Sequence, residues 1–130
     1  MKLAVILIHY HTPHLLREAI DAVRSDMHSS GIEGEVIVVD NGSEEGDRDL
    51  IASLPARVLN PGENLGYAGG INLGARATEA DVMIFMNPDV NVMPGTLNAL
   101  VSALDEGAHA AGPKFFLDPG CNILLPPLME

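Results

Sequence analysis

The chain has one cysteine, few cations and no long apolar run, and each shortage removes a class of protein. The single cysteine, Cys121, excludes an internal disulfide and fits a reducing compartment. Lys and Arg number 7 against 18 Asp and Glu, for a net charge of −11. With no surplus of cations to neutralise phosphates, nucleic acid is argued against as a partner. A small anionic ligand remains allowed, because a metal ion or backbone N–H groups can supply local positive charge. No stretch approaches the ~20 apolar residues of a membrane span. Residues 3–8 are apolar but are broken by His9, too short a run for a signal peptide. A cytoplasmic protein, working at most against the inner membrane face, is the expectation.

Several motifs are missing as well. A dinucleotide-binding fingerprint needs Gly-X-Gly-X-X-Gly directly after the first strand, and here that place holds His9-Tyr10-His11-Thr12-Pro13. No phosphate-loop Gly-Lys-Ser/Thr occurs, and no serine has a nucleophile-elbow context. Internal repeats and low-complexity segments are absent too.

What is present is an α/β alternation. At 130 residues with 47% hydrophobic residues, the chain has room for one domain with a real core. Apolar strand-like runs at Leu3–Ile8, Val36–Val39, Ala56–Leu59 and Val82–Met86 alternate with helical patterns, which predicts a mainly parallel sheet flanked by helices. Thr12-Pro13 marks a helix start, and Leu16, Ile20, Val23 and Met27 share one face of a helix over about 13–29, broken by Gly31 and Gly34. A short helix is expected at 45–54 and another near 71–78, after the glycine-rich loop Asn60–Gly70. Pro94 opens a last helix that Gly107 ends, and Ala108–Phe116 reads as a last strand interrupted by Gly112-Pro113. The apolar tail from Ile123 to Met129 has neither period, so residues 118–130 are set apart from 1–117 as a segment that packs on a partner or on missing chain.

The unbroken apolar run Val82–Met86 predicts a strand covered on both faces. Pro88 ends its pairing and leaves Asp89 just beyond the carboxyl end of a central strand, where open α/β sheets bind ligands. His9-Tyr10-His11 and Asp40-Asn41-Gly42-Ser43 follow two other strands, so a parallel sheet brings all three clusters to one edge. The loop Glu63–Gly70 precedes a helix, where its N–H groups could approach a sugar or phosphate, although its glycines could equally serve close helix–strand packing. His-X-His at a strand end is also a ligand pattern of metal-dependent hydrolases, in which His9 and His11 would be completed by Asp40 and Asp89.

Four segments in order resemble the nucleotide-sugar-binding half of family 2 glycosyltransferases, which have the Rossmann-like GT-A fold. They are Val5–His11, Val38–Ser43, Asn64–Asn72 and Met86–Val90, and they cover residues 3 to about 117. Asp-Asn-Gly-Ser with Asn-Pro-Asp-Val looks most like the rhamnosyltransferase branch, which builds bacterial surface polysaccharides from dTDP- or UDP-linked sugars. The resemblance implies that Tyr10 stacks on the nucleobase and that Asp40 and Asn41 hydrogen-bond its edge. It implies that Asn64, Gly66, Gly70 and Asn72 line the ribose and donor sugar. Asn87 and Asp89 stand at the outer positions of the family's Asp-X-Asp motif, which makes Asp89 the carboxylate for Mg²⁺ or Mn²⁺. An acceptor, a glycan or a lipid-linked sugar, would be the second substrate. Two departures stand out: Asn87 replaces a carboxylate, and His11 stands where the family commonly has Asn. The family's catalytic base lies in a second half that would bring the domain to roughly 200 residues or more, so the chain reads as a truncated GT-A domain without its base. A catalytically incomplete nucleotide-sugar-binding module is the alternative to an active transferase.

Overall fold

Residues 1–118 and 120–123 are described by a computed structural model. The first strand, β1 (Leu3–His9), is buried along its whole length. Such a continuous apolar run is stable only between two covering layers. A helix, α1 (Pro13–Ser30), follows, and the second strand is β2 (Gly34–Asp40). After a 3₁₀ turn at Glu45–Asp47 come α2 (Arg48–Ala52), β3 (Arg57–Leu59) and α3 (Gly66–Arg76). The last elements are β4 (Val82–Met86) and α4 (Thr96–Asp105). All strand pairs are parallel, in the order β3-β2-β1-β4, and His9 lies level with Asp40 in the register.

On one face of the sheet, Leu3, Val5, Leu7, Val36 and Val38 meet Leu16, Ala19, Ile20 and Val23 of α1, with Ile51 and Leu97. On the other, Ile6, Ile8, Ile37 and Val39 meet Ile71, Leu73 and Ala75 of α3. Each fully buried Leu or Ile contributes about 1.5–3 kcal/mol relative to exposure. Helix α3 rides very close to the sheet: a Cβ at Gly74 would lie 2.5 Å from Ile6 Cγ2. Glycine at that position is what allows the approach.

The ends of α1 follow its sequence signals. Pro13 occupies the first turn and Gly31 closes the helix in the left-handed region at φ 63°. The Thr12 hydroxyl, however, makes no capping bond. The start of α4 has a cap from elsewhere in the fold: the buried Asp26 carboxylate of α1 accepts from Gly95 N–H at 2.6 Å and Leu97 N–H at 2.9 Å. This anion also offsets the partial positive charge of the helix start.

Several expectations are corrected. β4 is not central and not covered on both faces. It ends the described sheet, and Met83 and Phe85 are 37% and 43% exposed because α3 lies over β1 and β2 only. Helix α3 begins at Gly66, so Gly66–Gly70 form its first turns rather than a loop. The segment 45–54 divides into the 3₁₀ turn and α2, and α4 starts at Thr96, past Pro94. Residues 108–116 form no strand beyond an isolated bridge at Phe116. The chain divides into two units, Met1–Asn98 and Ala99–Glu130. In the second, a tight turn forms around Asp118, whose carboxylate accepts from the N–H groups of Asn122 and Ile123. Of the expected apolar tail, residues 124–129 lie outside the described residues.

Candidate functional site

Because the strands are parallel, Tyr10, Asn41, Asn60 and Asn87 each follow a strand at the same edge of the sheet. The segments after β1 and β2 are fastened together there. Asn41 N–H donates to His9 O at 2.9 Å, and His11 N–H to Gly42 O at 2.9 Å. His11 takes φ 51° to make this turn. Asn and His are among the residues that tolerate the left-handed region, which accounts for the exchange at this position. The Tyr10 ring lies against Gly42, where a Cβ would come within 2.8 Å of its Cδ2 and Cε2, and the residue as a whole is 56% exposed.

Asp40 is 5% exposed and heavily bonded. Its Oδ1 accepts from His9 Nδ1 at 3.0 Å and Gly42 N–H at 3.2 Å, and its Oδ2 from the Ser43 hydroxyl at 2.7 Å. Burial works to raise its pKa, but the hydrogen bonds from Ser43, His9 and Gly42 together outweigh it and hold the carboxyl below the usual aspartate value. Asn41 is a clamp on the start of α3: its Nδ2 donates to Gly66 O at 2.9 Å and its Oδ1 accepts from Leu65 N–H at 3.3 Å.

A small open cleft of ≈ 140 Å³ runs between the β2 end and the segment after β3, lined by Asp40–Ser43, Arg48, Asn60, Gly62, Glu63 and Asn64. Of the expected site residues, Asp40, Asn41 and Asn64 line it, and Tyr10 stands beside it on Gly42. Gly66 adjoins it at φ 72°, with its N–H on Asn64 Oδ1. Gly70 is placed otherwise, packed so closely that a Cβ there would lie 3.0 Å from Asn41 Nδ2 and 3.2 Å from Ile8, and Asn72 is exposed farther along α3. Asn87 and Asp89 sit in an exposed turn closed by Val90 N–H on Asn87 O, at the same sheet edge but not in the cleft wall.

Four lining residues were not singled out as site residues: Arg48, at the start of α2, and Asn60, Gly62 and Glu63, in the segment after β3. The available signal was that Asn60 follows a strand of the same parallel sheet. Among the described residues no group of three His, Cys, Asp or Glu could by itself hold a metal ion. His9 in particular has both ring nitrogens engaged, by Asp40 and by Thr12 N–H at 3.0 Å, so it has no lone pair for a metal and the His9/His11 hydrolase site does not form.

Comparison with known proteins agrees with this geometry. The family model for glycosyl transferase family 2 matches residues 4–127, and the chain belongs to that family. An uncharacterised glycosyltransferase of Nostoc sp. is 31% identical over 106 residues, covering 78% of this chain and 32% of that protein. N-acetylglucosaminyl-diphospho-decaprenol L-rhamnosyltransferase of Mycobacterium tuberculosis is 37% identical over 93 residues, covering 60% of this chain and 30% of that protein. Among solved structures, a mannosyltransferase from Pyrobaculum calidifontis in complex with GDP-Man and Mn²⁺ superimposes with a TM-score of 0.69 at 22% identity, covering 78% of this chain and 32% of that one. The fold is therefore that of the GT-A glycosyltransferases, and the chain spans about a third of the length of the relatives it matches.

Proposed function

We propose that this chain is the donor-binding part of a glycosyltransferase that moves a sugar from a UDP- or dTDP-sugar to an acceptor hydroxyl, with inversion, in the assembly of a cell-surface glycan. The observation that carries the reading is the shared sheet edge: a cleft with an ionised, buried Asp40 at one side, and the exposed Asn87-Pro88-Asp89 turn after β4 at the other. The rhamnosyltransferase relative, whose name gives a decaprenol-linked acceptor, supports a lipid-linked acceptor. No described helix is long and apolar enough to cross a membrane, and we place the work in the cytoplasm, at the inner membrane face if the acceptor is lipid-linked.

In this reading the exposed Tyr10 ring takes the base by stacking. Asp40, kept ionised, accepts from a base N–H, and Asn41 presents its amide beside it. Asn64 and Gly66, at the start of α3, face the ribose and sugar, while Gly70 holds α3 against β1.

A divalent metal fits the donor set. Asp89 and Asn87 are exposed, and neither side chain has a hydrogen bond or ion pair among the described residues. Both offer hard oxygen donors, which suit Mg²⁺ or Mn²⁺ with water and diphosphate oxygens filling the remaining positions. Asp89 would hold the ion, with Asn87 as a neutral oxygen beside it. Bound there, the metal supplies Lewis-acid stabilisation of the departing diphosphate. The solved mannosyltransferase was obtained with GDP-Man and Mn²⁺, which supports a divalent metal in this reading.

The test is thermal unfolding with UDP or dTDP, with and without Mn²⁺. Binding raises the melting temperature only when metal is present, and Asp89→Ala removes that rise while leaving the unliganded melting temperature unchanged. A variant that binds with unaltered metal dependence rejects Asp89 as the metal residue.

A further inference from the structure

His9 is fully buried at the end of β1, yet the transfer reaction gives it no task. Its two nitrogens settle its protonation. Thr12 N–H can only donate, and it points at Nε2 at 3.0 Å, so Nε2 must carry a lone pair. The ring proton then sits on Nδ1, which faces Asp40 Oδ1 at 3.0 Å. A doubly protonated ring would set an N–H against an N–H in a buried site. The ring is therefore held as the neutral Nδ1–H tautomer, fixed between the start of α1 and the end of β2.

The consequence falls on Asp40. A carboxylate oxygen has two lone pairs. Oδ1 spends both, on His9 and on Gly42 N–H, while Oδ2 spends one on the Ser43 hydroxyl. One acceptor position is left, on Oδ2 of a residue that lines the cleft. We propose that His9 is a positioning residue: its Nδ1–H fixes the rotation of the Asp40 carboxylate so that the single free lone pair of Oδ2 is presented to a ligand N–H in the cleft. This rests on the reading of the cleft as the nucleobase site, and it assigns the selective element to the ring nitrogen rather than to burial alone.

Two substitutions separate positioning from packing. In His9→Asn the side-chain N–H₂ stands where Nδ1–H stood, so the bond to Asp40 survives and the Thr12 bond is lost. In His9→Gln the carbonyl reaches the place of Nε2, so the Thr12 bond survives and Asp40 loses its donor. Both variants shrink a buried side chain, and both should melt below the wild type. Calorimetric titration with UDP and Mn²⁺ should show His9→Gln weakened about tenfold, as for loss of one hydrogen bond to a charged group, and His9→Asn nearly unchanged. Equal losses in the two variants, in step with their melting temperatures, overturn the proposal.

Two nitrogen and carbon NMR measurements stand independently of nucleotide. In the wild type, ¹⁵N shifts at neutral pH should show a protonated Nδ1 and a bare Nε2, and the opposite tautomer overturns the proposal. The ¹³C titration of the Asp40 carboxyl should move to higher pH in His9→Gln and stay in place in His9→Asn, and no difference between the two overturns it. If the wild type binds neither UDP nor dTDP with Mn²⁺, the nucleobase reading fails. The tautomer and the Asp40 titration then still decide whether His9 positions Asp40.

Discussion

β1 and β4 lie side by side in the sheet and are both continuous apolar runs, but the protein uses them differently. Every residue of β1 is buried, whereas β4 alternates, with Met83 and Phe85 open to solvent. The loops that follow them differ in the same sense. After β1, the chain is tied into β2 through His9, His11 and Gly42. After β4, the side chains of Asn87 and Asp89 are exposed and unengaged among the described residues. An apolar run thus records what a strand can bury, while the neighbouring layers decide what it does bury. The same sheet edge combines a closely hydrogen-bonded wall with carboxamide and carboxylate oxygens that no described side chain engages.

The contrast can be broken or sharpened by substitution. Leu7→Ala, in the fully buried stretch of β1, should cost about 3 kcal/mol of unfolding free energy in a urea titration. Gly74→Ala should cost about 2 kcal/mol, because its new methyl meets Ile6 of β1 at 2.5 Å. Acid unfolding should single out the bonded rim. Asp40 titrates below the ordinary aspartate value of 3.8, so its contribution is present above that value and lost as pH falls through the lower, folded one. The Asp40→Asn variant should accordingly show a shallower loss of stability below about pH 4 than the wild type. At the small end, Phe85→Ser on the open face of β4 should change stability by no more than about 0.5 kcal/mol, and Asp89→Asn should leave the unliganded melting curve in place. A large cost at Phe85 would show that the face of β4 is covered in solution.

Much of this architecture was legible in the residues. Alternating apolar runs and helical periods gave the parallel sheet its strands, and Pro13 and Gly31 marked the ends of α1 because each acts locally, through a fixed φ or a left-handed one. The four motifs in order gave the family, which the family model over 4–127 bears out. What failed was what depends on distant partners. Gly66–Gly70 looked like a loop because glycine weakens a helix, yet they open α3, whose Gly70 and, further on, Gly74 let the helix reach Ile8 and Ile6 of β1. The open face of β4 and the absence of a strand at 108–116 are likewise matters of what lies alongside. At the site, Asp40 and Asn41 were legible as polar residues at a strand end. Arg48 and Glu63 were not, since their place in the cleft is set by how the segments on either side of β3 fold back.

The Asp26 carboxylate has a consequence for the order of assembly. Two amides at the start of α4 find their acceptor on a helix some 70 positions earlier in the chain, so that turn cannot be completed by local sequence alone. It must wait until α1 is docked and the intervening strands have brought the chain back. The exchange rates of the Gly95 and Leu97 amide protons therefore report on the integrity of the whole sheet layer, and they should rise together with those of β1 when the domain opens.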